Sequence, residues 1–163
     1  MKRWSERPPE VAHLFNPAFC ALLLREAVRG FAEVSPSGMP HPIVFLLLPI
    51  VLHKATRESL PGSITTKMHP WLQEHQEARI GFCERCAAIL PHTREAILFA
   101  MNAQMVTLSQ DGSMQAPRLR LNQLPWPSDS ESAACRKRAH FVGRWLASAG
   151  DNATIFAMWG VRP

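Results

Sequence analysis

The sequence predicts a mainly helical (α+β) fold of the winged-helix kind, with a small β-hairpin, a C-terminal helix and a terminal strand. Apolar residues recur at helical spacing in several segments, which is typical of helices that bury one face. An Asp-Gly pair, Asp111-Gly112, separates two β-prone segments and indicates a hairpin turn. A helix followed by a hairpin, after earlier helices, is the outline of a winged-helix domain.

Size and composition favour a single domain. The chain has 163 residues, of which 47% are hydrophobic and 19% are charged, a balance typical of a globular domain with its own core. We divide it into an N-terminal arm (1–14), a helical core with the hairpin (15–121), a proline-rich connector (122–130) and a C-terminal helix and strand (131–163).

The first half of the predicted core contains two helical regions. Asn16 can cap a helix, and Pro17 fits the first helical position, so we expect a helix that runs to about Gly30. The segment 33–42 is rich in proline, serine and glycine and is expected to be a loop. The apolar stretch that follows, 43–59, predicts a buried segment with a helix in its second half.

The next helices are delimited by threonine and proline. Thr65 or Thr66 can cap a third helix, and Pro91 is expected to end it, because proline lacks the N–H that a helix interior requires. A fourth, compact helix is predicted over 93–103, in the position of a recognition helix. Its side chains are largely apolar, which favours contact with protein over the reading of base edges.

The last predicted elements follow that helix. Segments 104–109 and 114–121 are expected to pair across a turn at 110–113. After the connector, apolar spacing predicts a helix over 131–149. The segment 154–159, TIFAMW, is rich in β-branched and aromatic residues and predicts a terminal strand.

Signatures of catalysis are missing from the sequence. Metal-dependent nuclease sites need clustered carboxylates, but the chain has few aspartates, each in a predicted turn or connector: Asp111, Asp129 and Asp151. It contains no GxxxxGK, GxGxxG, HExxH or GxSxG motif. We therefore expect no catalytic residue and no cofactor, and we interpret the chain as something other than an enzyme.

The motif Cys83-Glu84-Arg85-Cys86 has two interpretations. A CxxC pair can bind zinc or exchange disulfides, but a structural zinc site needs four ligands, and the remaining Cys and His residues are irregularly spaced. The simpler interpretation is that two small side chains lie three residues apart on a helix. The charged, proline-containing start of the chain has no apolar stretch typical of export signals, so we expect a cytoplasmic protein whose cysteines are free thiols.

The net charge of +5 is concentrated in the C-terminal third. Residues 136–138 (Arg136, Lys137 and Arg138), with Arg144 two turns further, could contact DNA phosphates. The alternative is a solvated helix face with ion pairs. Trp4 and Trp126 lie in proline-flanked segments, and we predict that they anchor a protein partner.

Four segments of this chain resemble, in the same order, the middle component of three-component ABC systems. They are FNPAFCALLLREAVRG (15–30), PHPIVFLLLPIVLHKATRESLP (40–61), LPHTREAILFAMNAQMVTLSQDGSM (90–114) and KRAHFVGRWLASAGDNATIFAMWGVRP (137–163). Together they cover most of the chain.

This resemblance implies a non-catalytic adaptor subunit in bacterial antiphage or anti-plasmid defence of the Lamassu type. Its expected partners are an ABC ATPase of the SMC/Rad50 type and an effector, commonly a nuclease, with non-specific DNA contact through the complex as a further expectation. No membrane contact is expected. The alternative from the residues alone is a winged-helix DNA-binding protein that uses the basic C-terminal helix.

Overall fold

The computed structural model of the protein describes residues 8–118 and 127–162. Within these ranges the fold is mainly helical, with a small three-stranded antiparallel sheet. The elements are α1 (Pro9–Leu14), α2 (Pro17–Val34), β1 (Met39–Pro40), α3 (His41–Val51), α4 (Lys54–Ser59), α5 (Met68–Glu74), a 3-10 helix (Gln76–Arg79), α6 (Phe82–Asn102), β2 (Thr107–Leu108), β3 (Ser113–Gln115), α7 (Glu131–Ala147) and α8 (Asn152–Trp159).

Helix α2 begins where the sequence predicts. The side-chain oxygen of Asn16 accepts hydrogen bonds from the backbone N–H groups of Ala18 and Phe19, at 2.9 and 3.3 Å. The helix runs four residues past the predicted end at Gly30, to Val34. Gly30 is not among the glycines with the positive φ that ends a helix, and it lies against the backbone of α7 at His140.

The stretch 43–59 forms two helices. Helix α4 corresponds to the helix predicted in the second half, while α3 occupies the first half and is buried along most of its length. It packs against α2, α6, α7 and α8. The apolar run therefore forms the centre of the core.

The predicted break at Pro91 is wrong, because α6 continues through this residue as a single helix of 21 residues. One face of α6, which includes Ile89 and Ala96, is buried, and the helix packs on α2 and α3. Buried Phe82 at its start lies against Trp159 of α8. Pro91 lies on the exposed face, as does Ala87, whose carbonyl would bond to the missing N–H. Water can satisfy that carbonyl, so the buried face outweighs the lost hydrogen bond.

The predicted terminal strand over 154–159 is also wrong, because these residues form α8. The carboxylate of Asp151 caps this helix by accepting a hydrogen bond from the N–H of Thr154 at 2.7 Å. Gly160, at φ 70°, ends it in the left-handed conformation that favours glycine. The two caps and the burial of Phe156 and Trp159 outweigh the β propensity of a short segment.

The predicted hairpin is confirmed, and a third strand joins it. The strand order is β1-β3-β2, with Met114 of β3 opposite Met39 of β1 and Leu108 of β2. The segment predicted as a loop over 33–42 thus contains β1. Gly38 precedes this strand at φ 90°, and a Cβ there would lie 2.9 Å from the Met114 carbonyl oxygen, so the turn into β1 requires glycine.

The remaining segments are described in part. Within the predicted arm, α1 covers 9–14. The connector is described only at residues 127–130, where Ser130 caps α7 by accepting a hydrogen bond from the N–H of Ala133. Trp4 and Trp126 lie outside the described residues. Each described helix is too short or too polar to span a bilayer.

Candidate interaction surfaces

Helices α2 and α7 lie side by side with their backbones in direct contact. A Cβ built on Gly143 would lie 2.0 Å from the carbonyl oxygen of Ala27, and one on Gly30 would lie 2.2 Å from that of His140. No side chain larger than hydrogen fits at either position. Together, the two glycines allow the helices to approach more closely than other residues would permit.

Two carboxylates of α2 bind the basic side chains of α7. Buried Glu26 pairs with Arg136 at 3.2 Å and with Arg29 of its own helix at 3.2 Å. Glu33 pairs with His140 at 2.9 Å and with Arg144 at 3.4 Å. The charge of α7 is thus partly neutralised within the chain.

Arg138 and Lys137 are the other two residues of the predicted DNA contact, and they differ in their partners within the chain. Arg138 donates a hydrogen bond to the carbonyl oxygen of Pro61 at 3.0 Å and lies over the ring of Phe141, 5.6 Å from its centroid. Lys137 is exposed and makes no hydrogen bond or ion pair within 8–118 and 127–162. All three arginines therefore have intramolecular partners, and Lys137 is the cation of this group that has none among the described residues.

Helix α6 exposes a stripe along its length. The exposed residues Ala87, Pro91, Arg94, Leu98 and Met101 follow one another at spacings of four, three, four and three. We call these five residues the α6 stripe. Leu98 is 63% exposed, and the alternation of four and three is the spacing by which one helix faces another.

A groove opens beside the N-terminal half of the α6 stripe, between α3, α6 and α8. Its volume is about 410 Å³. Apolar side chains form most of its lining, and three basic residues contribute to it: His41, Arg94 and Arg162. Among the residues that the structure describes, none that lines the groove is acidic.

The CxxC pair lies at this groove. Cys83 and Cys86 are free thiols on the first turns of α6, three residues apart as predicted. Desolvation raises the pKa of the Cys86 thiol to about 12, whereas metal binding and disulfide exchange need the thiolate. No cluster of three or more metal-ligating side chains occurs in the described part of the chain.

In the comparison with known protein families, residues 4–163 match middle component 3 of the ABC three-component (ABC-3C) systems. The chain belongs to this family. No curated protein and no solved structure matches it. The family assignment agrees with the resemblance seen in the four sequence segments, and it implies that the other components of the ABC-3C system are partners of this middle component.

Only part of the α6 stripe of this middle component can be predicted from the sequence. The apolar character of residues 93–103 can be predicted, but the predicted break at Pro91 divides the α6 stripe between two elements. Once Pro91 is placed inside one helix, the spacing of the stripe can be read from the sequence. Its exposure depends on the opposite face, which packs on α2 and α3.

Proposed function

We propose that this middle component is a non-catalytic adaptor that bridges an SMC-like ABC ATPase and a nuclease-type effector in antiphage or anti-plasmid defence of the Lamassu type. The observation that carries the proposal is the α6 stripe, because Leu98 and Met101 are exposed on a helix whose opposite face is core. Exposed apolar side chains in a row are typical of protein interfaces. The family assignment supplies the partner components.

The winged-helix assignment is part of this proposal. It is supported by the order α2, β1, α3, α6, β2, β3 and by the strand order β1-β3-β2, in which the strand after the first helix joins the hairpin. Helix α6 then takes the position of the recognition helix, with α4 and α5 inserted before it. Its stripe contains one charged side chain, Arg94, and so is better suited to protein than to base edges.

The described charged groups support a non-catalytic role. The carboxylate of Asp111 accepts a hydrogen bond from the N–H of Ser113 within the hairpin turn, and Asp151 caps α8. Buried Arg57 pairs with Glu131 at 2.6 Å and donates to the carbonyl oxygen of Val51 at 2.8 Å. The two aspartates stabilise local turns and caps, and the Arg57–Glu131 pair joins α4 to α7.

Direct DNA binding by α7 is less well supported, because Arg136, Arg138 and Arg144 have intramolecular partners. Phosphate contacts would compete with Glu26 and Glu33. A purified chain that binds duplex DNA tightly, with a steep loss of affinity as salt rises, would favour this alternative.

The test of the adaptor is co-expression with the other two components of the same system. We expect the wild-type chain to co-purify with both, and Leu98→Glu to lower its affinity for one of them by about tenfold or more. Ala88→Glu is the matched control, since Ala88 is exposed on the same helix but outside the stripe. If the wild-type chain binds neither component, the adaptor proposal fails. If Leu98→Glu binds both components as wild type does, the C-terminal half of the α6 stripe is not the contact.

A further inference from the structure

We infer that the α6 stripe and its groove bind one amphipathic, acidic helix of a partner protein, which places apolar side chains in the groove and carboxylates on Arg94 and Arg162. The inference rests on the proposed adaptor function and specifies the chemistry of the partner at this surface.

The spacing of the stripe argues for a helical partner. From Ala87 to Met101 the stripe covers 14 residue steps, or about 21 Å at the rise of an α-helix. Its alternation of four and three matches the a/d seam along which two helices pack side by side. An extended peptide would present side chains on alternating faces and could use fewer of these positions.

The groove provides a place for anchoring side chains. Phe45, Leu90, Phe156 and Val161 belong to its lining, beside Ala87 of the stripe. A partner helix that lies along the stripe can project apolar residues from successive turns into this space. Helices that bind in grooves use such anchors at spacings of three and four residues.

The charge at the surface argues for carboxylates on the partner. Arg94 lies in the middle of the stripe and is exposed, and neither it nor exposed Arg162 makes a hydrogen bond or ion pair within the described ranges. No acidic residue of the described ranges lines the groove. A carboxylate that meets Arg94 beside apolar contacts forms a charge-assisted, bidentate pair, whereas a basic helix would be repelled.

Arg94 also argues against a second copy of this chain as the protein that binds the α6 stripe and its groove. Arg94 is the central position of the five in the stripe, so symmetric antiparallel pairing of two α6 helices would set one Arg94 against the other. Two cations facing each other in an apolar contact are destabilising.

The first test uses the native thiol of Cys83, which is exposed and belongs to the groove lining. The chain is labelled at Cys83 with a methanethiosulfonate reagent that carries a short alkyl diazirine, which is smaller than a tryptophan side chain and leaves room in the groove. It is then assembled with both other components, irradiated and digested for mass spectrometry. We expect a crosslink to a helical segment of one component that contains large apolar residues and Asp or Glu. A crosslink to a second copy, to a basic segment or to no protein overturns the inference.

The second test compares matched variants in the same complex. Ala87→Trp fills the groove and should weaken binding by about tenfold or more, while Ala88→Trp, on the adjacent exposed position, should change it by less than about twofold. Arg94→Glu should weaken binding similarly, and Lys67→Glu controls for the charge change at an exposed site away from the groove.

The outcomes separate the two proposals. If the wild-type chain binds neither component, the adaptor function fails and this inference fails with it. If the complex assembles and both Ala87→Trp and Arg94→Glu bind as wild type does, the inference alone fails and the adaptor remains. Thermal unfolding of each variant checks that all of them are folded.

Discussion

Helices α7 and α6 differ in whether their side chains are already bound within the chain. Helix α7 is the most basic segment of the sequence, yet its arginines bind carboxylates and a carbonyl of the same chain. Helix α6 contains enough apolar residues to be mistaken for core, yet it exposes Leu98 and Met101. The composition of a helix therefore says little about whether it can bind another molecule until the partners of each side chain within the chain are known.

The two regions also differ in how their backbones are packed. At the contact of α2 and α7 the glycines leave no space, whereas the α6 stripe borders a groove of about 410 Å³. The first region is a closed structural interface, and the second is open. The predictions below test this contrast, from the largest expected change in stability to the smallest.

The largest effect is expected from Gly143→Ala. The new Cβ would lie 2.0 Å from the Ala27 carbonyl oxygen and 2.7 Å from its carbonyl carbon, so α2 and α7 must separate along their contact. Overpacking of this kind costs about 3 kcal/mol or more when backbone must move. Urea unfolding of the purified chain measures the loss.

Gly62→Ala is the control for this variant, because a Cβ at Gly62 meets no atom within 4 Å. Its free energy of unfolding should change by less than about 0.5 kcal/mol. Equal stability of Gly143→Ala and wild type would show that α2 and α7 are not in backbone contact.

A smaller loss is expected from Glu26→Gln. Glu26 is buried beside Arg25, which is itself buried, and it pairs with Arg29 and Arg136. Without the carboxylate charge of Glu26, buried Arg25 loses a nearby opposite charge, which should lower the free energy of unfolding by about 2 kcal/mol. Arg29 and Arg136 add little to this loss, because water partly solvates them. The free energy of unfolding at neutral pH provides the measurement.

Glu58→Gln offers the comparison for a solvated pair. Glu58 lies 3.9 Å from Lys54, and both side chains are largely exposed, so its removal should cost less than about 0.5 kcal/mol. A loss for Glu26→Gln as small as that for Glu58→Gln would contradict a buried ionic contact between α2 and α7.

Much of the fold follows from local signals in the sequence. Asn16 and Pro17 identify the start of α2, Asp111-Gly112 identifies the hairpin, and apolar spacing identifies α7. The missed features depend on contacts between distant residues. Strand β1 has two residues and exists through pairing with β3, and Glu26 meets Arg136 across 110 positions, which no local pattern reveals.

A near-zero effect on stability is expected from Leu98→Glu in the isolated chain. Leu98 is 63% exposed, and leucine and glutamate have similar helix propensities, so the free energy of unfolding should change by less than about 0.5 kcal/mol. The same variant is expected to lose partner binding. A large loss of stability would mean that Leu98 belongs to the core and not to the open surface.

The last prediction compares both regions in one sample without changing the chain. Cys83 lies on the open side, while Cys20 of α2 and Cys135 of α7 are buried. In the folded protein at pH 8, iodoacetamide should modify Cys83, and the two buried thiols should react at least about 100-fold more slowly, because they become accessible only when the structure opens. Peptide mapping against time gives the rate at each site.

Cys86 adds a further comparison, because it lies on α6 as Cys83 does but is half-buried. Desolvation raises its pKa to about 12, so its thiol is protonated at pH 8 and only the rare thiolate reacts. Its rate should keep rising about tenfold per pH unit between about pH 8 and pH 10, whereas Cys20 and Cys135 remain limited by opening of the core. Modification of Cys20 or Cys135 as fast as Cys83 would show that the contact of α2 and α7 opens readily, and the contrast between the two regions would then fail.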